Sequence, residues 1–191
     1  MICRAGVLWD TPQIFHRFVE DCGINCDVIT PHLLAAPFFR GQYIAMIIPT
    51  GFANRRYSQL LPALRAKSDR IHGFIEKGGR LLVFGAAECK SDAYDWLPFS
   101  VEYSHCYGDY PLRICDDPTS ASFLDGYDTA CIACDGYFPA FEGIPRIESP
   151  QGPVLIQAEV GEGMVIVTSI HEYPGRPFLR RFCCGNRETL F

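Results

Sequence analysis

The sequence predicts a three-layer α/β fold, a mostly parallel sheet with helices on both faces. Two observations point to it. In the first half, apolar strand-like runs alternate with helical patterns over short connections, the order that builds a parallel sheet covered on both sides. The segment Tyr43-Ile-Ala-Met-Ile-Ile-Pro49 is an unbroken apolar run, as expected of a strand with no solvent face. With 191 residues, 48% hydrophobic and 20% charged, the chain is long enough for one well-buried core and ordinary in composition. A single domain over 1–191 is expected.

Ile2 to Trp9 reads as the first strand. Thr11-Pro12 supplies a cap and an N1 proline, and Ile14, Phe15, Phe18, Val19 and Cys22 form a stripe at helical spacing closed by Gly23, predicting a helix over 11–22. Asn25 to Thr30 is a short second strand and Tyr43 to Pro49 a third. A long helix is predicted from about Tyr57 to Lys77, with Leu60, Leu61, Leu64, Ile71, Phe74 and Ile75 inward and Gly78-Gly79 as its stop. Residues 80–86 form the fourth strand. From Asp92 to Gly152 the chain is rich in Pro, Gly, Asp and aromatics, with strand candidates at 99–103, 111–115 and 129–133. Val154 to Glu159 and Met164 to Ser169 are strands joined by a hairpin turn at Val160-Gly-Glu-Gly163. A helix over 176–183 follows, and a flexible tail is expected from Gly185 to Phe191.

A net charge of −5, with no Lys/Arg cluster alternating with aromatics, gives no field for a phosphate backbone, and argues against nucleic acid. No apolar run approaches the roughly 20 residues of a membrane span, and the N-terminus leads directly into a strand, so neither membrane nor secretory signal is expected. The expected location is cytoplasmic, where the ten cysteines should be reduced thiols. Cys3, Cys22 and Cys131 lie in apolar segments and read as buried small hydrophobes. Cys131-x-x-Cys134, with Cys183-Cys184 and Cys106, Cys115 or His105, has ligand-like spacing and leaves a metal- or redox-binding reading open. The first pair falls in a predicted strand, however, and structural thiols with no metal and no cofactor are expected. The loops Tyr94 to Phe99 and Tyr103 to Tyr110 either line a pocket or plug a sheet edge.

Four segments resemble the class I glutamine amidotransferase-like superfamily, and in the same order. They are Tyr43-Ile-Ala-Met-Ile-Ile-Pro-Thr-Gly-Phe52, Phe74-Ile-Glu-Lys-Gly-Gly-Arg-Leu-Leu-Val-Phe-Gly85, Cys134-Asp-Gly-Tyr-Phe138 and Gly161-Glu-Gly-Met-Val-Ile-Val-Thr-Ser-Ile-His171. The resemblance spans nearly the whole chain and implies a flavodoxin-like α/β fold. It also implies a cysteine held in a strained turn after the fourth strand, and a later histidine, in His-x-Glu, that handles the proton. In this chain the turn reads Gly85-Ala86-Ala87-Glu88-Cys89. Counting from Gly78-Gly79 puts Gly85 or Ala87 where the cysteine belongs, and neither can attack a carbonyl.

A longer strand would bring Cys89 into that place; otherwise it is a bystander beside a vacant position. Glu88 is either a general base or metal ligand near His171, or a carboxylate complementing a helix N-terminus. His171 either faces a ligand or is a hydrogen-bonded strand-end histidine. Glu172 is adjacent to it rather than two residues on, so the two side chains should diverge. The expected site is a crevice lined by Thr50, Gly51, Phe52, Gly85, Ala86, Ala87, His171 and Glu172. It would bind a small molecule or a protein partner without the usual catalysis, and self-association is compatible with it. The alternative is a cysteine-dependent amidohydrolase or amidotransferase using Cys89 and His171.

Overall fold

The computed structural model describes residues 1–115 and 117–191. Along the chain run β1 (Ile2–Leu8), α1 (Ile14–Asp21), β2 (Asn25–Ile29), α2 (Pro31–Ala35), β3 (Gln42–Tyr43), β4 (Ala45–Ile48), α3 (Leu60–Ala66), α4 (Ser68–Glu76), β5 (Arg80–Val83), β6 (Ser104–Tyr110) and β7 (Arg113–Ile114). There follow α5 (Pro118–Phe123), β8 (Ile132–Tyr137), β9 (Ile144–Ser149), β10 (Gly152–Val160), β11 (Gly163–Thr168), α6 (Arg176–Cys183), β12 (Cys184–Gly185) and β13 (Thr189–Leu190). No helix among the described residues is long and apolar enough to cross a membrane.

Five parallel strands in the order β2-β1-β4-β5-β11 form the centre of the sheet. Antiparallel β10, β9 and β7 extend it beyond β11, and β12 pairs with the start of β1. Alternate residues of the central strands point to opposite faces. Met46, Ile48, Leu81, Val83, Val165 and Val167 meet Leu60, Leu64, Ile71 and Phe74 of α3 and α4. Ala45, Ile47, Leu82 and Ile166 meet Phe15 and Val19 of α1, Phe123 of α5 and Phe178 and Leu179 of α6. Both faces are therefore dry, which explains the unbroken apolar strands. Burying each such side chain contributes roughly 1.5–3 kcal/mol.

The boundary at Gly78-Gly79 falls where predicted. Gly78 takes φ +101°, its N–H donates to the Ile75 carbonyl at 2.9 Å, and the Gly79 N–H reaches the Phe74 carbonyl at 3.0 Å. This pair of bonds satisfies the last carbonyls of α4. The β10–β11 hairpin turns as expected, with Val160 paired to Gly163 and Gly161 at φ +60°.

Other expectations need correction. Helix α1 starts at Ile14, with Gln13 at the N-cap and no side-chain cap bond, so Thr11-Pro12 precede it. The helix expected over 57–77 is two helices, α3 and α4, divided at Lys67, whose φ of −122° leaves the helical region. Strand β5 stops at Val83, and 84–87 continue as irregular chain. Residues 99–103 contribute an isolated bridge, Val101 to Phe141, rather than a strand, and the strand expected at 129–133 lies at Ile132–Tyr137. Strand β9 and helices α2 and α5 were not foreseen, and the aromatic loop expected over 103–110 is instead strand β6.

The C-terminal segment is docked rather than loose. Strand β13 pairs with β3, and the Phe191 ring, 4% exposed, packs near Phe39 and Phe74. Cys3 and Cys184 form a disulfide, so these two are not the reduced thiols expected. Cys22, Cys134 and Cys183 are buried thiols, whereas Cys131 is exposed rather than buried.

Candidate functional site

Strands β4, β5 and β11 are neighbours, and their carboxyl ends open onto one crevice, the position where α/β sheets hold ligands. Three short segments leave these ends: Pro49 to Phe52, Phe84 to Ala87, and Ser169 to His171. The Gly51 N–H donates to the Gly85 carbonyl at 2.8 Å, and Asn54 Nδ2 donates to the Ala87 carbonyl at 3.1 Å. Two of the segments are thus fixed to each other by hydrogen bonds.

Strand β8 brings the remaining group. It runs beside the segment after β11, with Cys134 bridged to Ile170, the Asp135 N–H on the Ser169 carbonyl at 2.7 Å and the His171 N–H on the Ala133 carbonyl at 2.9 Å. Asp135 and His171 are diagonal across this ladder and share a face. His171 Nδ1 lies 3.2 Å from Asp135 Oδ1 and 3.4 Å from Oδ2. With Nδ1–H donating to the carboxylate, Nε2 is left as an acceptor without a protein partner among the described residues. The Asp135 side chain is 5% exposed and that of His171 50%, so the acid is covered and the imidazole faces solvent.

Gly85 makes this pairing sterically feasible. A Cβ at 85 would stand 2.8 Å from Asp135 Oδ2 and 2.9 Å from its Cβ. Burial raises the Asp135 pKa above the ordinary carboxylate value, opposed by His171, His105 and a hydrogen bond from Thr50. Beneath it, the Tyr103 hydroxyl donates to the Asp135 carbonyl at 2.9 Å and lies 3.2 Å from His105 Nδ1. A hydroxyl has one proton, so His105 Nδ1 is the donor in the second contact.

Two adjoining hollows meet at Thr50 and His171. One, of about 480 Å³, includes Gly51, Asn54, Ala87, His105, Tyr107 and Asp135. The other, of about 120 Å³, is closed by Phe15, Pro49, Phe84 and Tyr173. Tyr107 stands edge-on to His171, with ring centroids 5.9 Å apart.

Of the residues singled out in the sequence, Thr50, Gly51, Ala87 and His171 line the larger hollow, and Gly85 lies beneath Asp135. Phe52 and Ala86 are fully buried; Phe52 packs edge-on to Tyr94 and Trp96 in the core and does not line the crevice. Cys89 and Glu88 do not line that hollow; they lie in a neighbouring one with Arg55, Arg56 and Lys90, and the two hollows share Asn54. No helix begins at Glu88, because 91–96 form irregular turns, so the macrodipole reading of that carboxylate does not apply. Glu172 lines neither hollow, and the carboxylate beside His171 is that of Asp135. The two aromatic segments divide between both readings: Tyr94, Trp96 and Tyr103 are core, and Tyr107, on β6, lines the hollow.

Asp135 is the residue that sequence reasoning passed over. A signal existed in Cys134-Asp-Gly-Tyr-Phe138, since a lone carboxylate inside an apolar strand must find a partner if the strand is buried. Ala87 carries a second signal, visible only in the backbone. At φ +49° it is the one non-glycine residue with positive φ among those described.

The chain matches no known family model and no curated protein sequence. Its fold does match solved structures. A Thermoplasma acidophilum protein, provisionally assigned as a GMP synthase component, superposes with a TM-score of 0.61 over 95% of this chain and 92% of its own, at 12% identity. A cytoplasmic protein from Salmonella typhimurium superposes at 0.55 over 90% of this chain and 88% of its own, also at 12% identity. A beta-galactosidase from Bacillus circulans sp. alkalophilus gives 0.55 at 13% identity, over 93% of this chain but 30% of the enzyme. Identities this low establish a shared three-layer, flavodoxin-like α/β fold and leave activity open.

Proposed function

We propose that this chain is a single glutamine amidotransferase-like domain that binds a small molecule at the ends of β4, β5 and β11 and lacks the cysteine chemistry its resemblance implies. The observation that carries this reading is Ala87. It lies four residues past the end of β5, in a left-handed conformation at φ +49°, lining the hollow that holds His171 and Asp135. A non-glycine residue in that conformation costs about 1–2 kcal/mol, and such strain is characteristic of a residue aimed at a site. The turn thus keeps the backbone expected of a nucleophile and presents a methyl group instead of a thiol.

The base half of the device remains. Asp135 holds the His171 ring by Nδ1, and the free Nε2 suits a ligand with a hydrogen-bond donor, while Asn54 and Tyr107 supply further polar groups. Without a nucleophile this arrangement orients a ligand but forms no covalent intermediate. Cys89 does not fill the gap, because it is exposed and lines a different hollow from His171. Assay of purified protein with L-glutamine tests the reading: no ammonia release above the Cys89→Ala variant is expected, and release abolished by that substitution would replace it with the cysteine-dependent alternative.

A further inference from the structure

A separate hollow, of about 540 Å³, sits on the α4 side of the sheet and shares no residue with the His171 site. Four cations line it, Arg40, Lys67, Arg70 and Lys77, with one carboxylate side chain, Asp69, and the last residue of the sequence, Phe191. Lys67, Arg70 and Lys77 recur at three- and seven-residue intervals, which brings them to one face of α4 and its two caps. None of the four has a carboxylate within ion-pair distance among the described residues. In a chain of net charge −5, four unpaired cations in one concavity are a local excess that raises the energy of the empty site.

Arg70 shows the consequence. Its Nη2 donates to the Phe39 carbonyl at 2.8 Å and its guanidinium lies 4.5 Å from the Phe191 ring centroid, so the side chain is held in place. Its Nη1 is buried and has no hydrogen-bond partner. Burial, and then the Arg40 charge, lower its pKa. An anion in the hollow offsets this excess of positive charge. Four positive charges call for more than one negative charge, and lysine ammonium groups suit phosphoryl oxygens as point charges. Leu190, about half exposed, and Pro37 add an apolar wall.

We infer that this hollow binds an organic anion carrying a phosphoryl group, with its charged end among Arg40, Lys67, Arg70 and Lys77 and its apolar part against Leu190 and Pro37. Phenyl phosphate is the probe, titrated calorimetrically at constant low ionic strength, with sodium chloride and inorganic phosphate in parallel. Saturable binding of phenyl phosphate is expected, tighter than inorganic phosphate and absent with chloride. The Lys67→Gln/Lys77→Gln double variant, altered at one half-buried and one exposed position, should fold as wild type by circular dichroism and bind roughly tenfold more weakly. Arg55→Gln/Lys90→Gln, in the hollow around Cys89, should leave the affinity unchanged. Heat indistinguishable from the chloride control, an unchanged affinity in the lysine variant, or loss in the Arg55/Lys90 variant would each overturn the assignment.

Discussion

At the scale of single residues, the site depends on three positions where a small side chain is required or a charge is hidden. Gly85 leaves the space that Asp135 fills, with a Cβ there reaching 2.8 Å from Oδ2. Gly85→Ala is therefore expected to cost about 1–3 kcal/mol by displacing the carboxylate, read as a lower urea midpoint. Ala87→Gly should behave in the opposite way. Relieving a left-handed alanine offsets the usual glycine penalty, so stability should be unchanged or rise by up to about 1 kcal/mol. Asp135 gives a pH signature. Burial raises its pKa in the folded state, so the folded chain holds that proton to a higher pH than the unfolded chain. The associated stability is complete below the unfolded value of about 3.9 and is lost as pH rises through the folded value. Asp135→Asn should therefore gain on the wild type as pH rises from about 4 toward neutral, measured by urea unfolding across that interval.

At the scale of elements, helix caps and sheet registers explain which predictions held. Gly78-Gly79 and the 160–163 turn are encoded by glycines whose positive φ or close backbone approach admits few substitutes, so they were legible. The division of α3 from α4 at Lys67 was not, because the apolar stripe continues through it and only the backbone changes. Helix α5 escaped notice for a related reason. It is six residues long, too short for a periodic stripe, and its signal is the cap: Asp117 accepts from the N–H groups of Thr119 and Ser120. Burial raises the Asp117 pKa, but the Ser120 and Thr119 hydrogen bonds and Arg146 outweigh it, and the net shift is downward. Its contribution is present above the unfolded value of about 3.9 and is lost as pH falls through the lower folded one. Asp117→Ala should cost about 0.5–2 kcal/mol at neutral pH, with the difference shrinking in acid, as thermal melts at both pH values would show.

At the scale of the whole molecule, the alternation of strand and helix gave the layers, because both faces of each central strand are buried and the sequence records that directly. Contacts between distant segments were beyond it. The His171 partner comes from Asp135, 36 residues away, and local spacing carries no information about such a pair. The same holds for Cys3 and Cys184, separated by 181 residues. That bond fastens β12 to β1, so reduction should release the C-terminal strands and lower stability by roughly 2–4 kcal/mol. Melting with and without dithiothreitol checks this, and the Cys3→Ser/Cys184→Ser variant should match the reduced protein.

The central claim is that the turn after β5 keeps the geometry of a nucleophile site while its occupant, Ala87, is inert. Iodoacetamide labelling, followed residue by residue, tests it most directly. In the wild type Cys89 should label no faster than Cys106 and Cys131, the other exposed free thiols, and His171→Ala should leave its rate unchanged. A cysteine introduced by Ala87→Cys should label faster than all three, with the advantage lost on His171→Ala. A wild-type Cys89 that outpaces the other thiols and slows when His171 is removed would contradict the account.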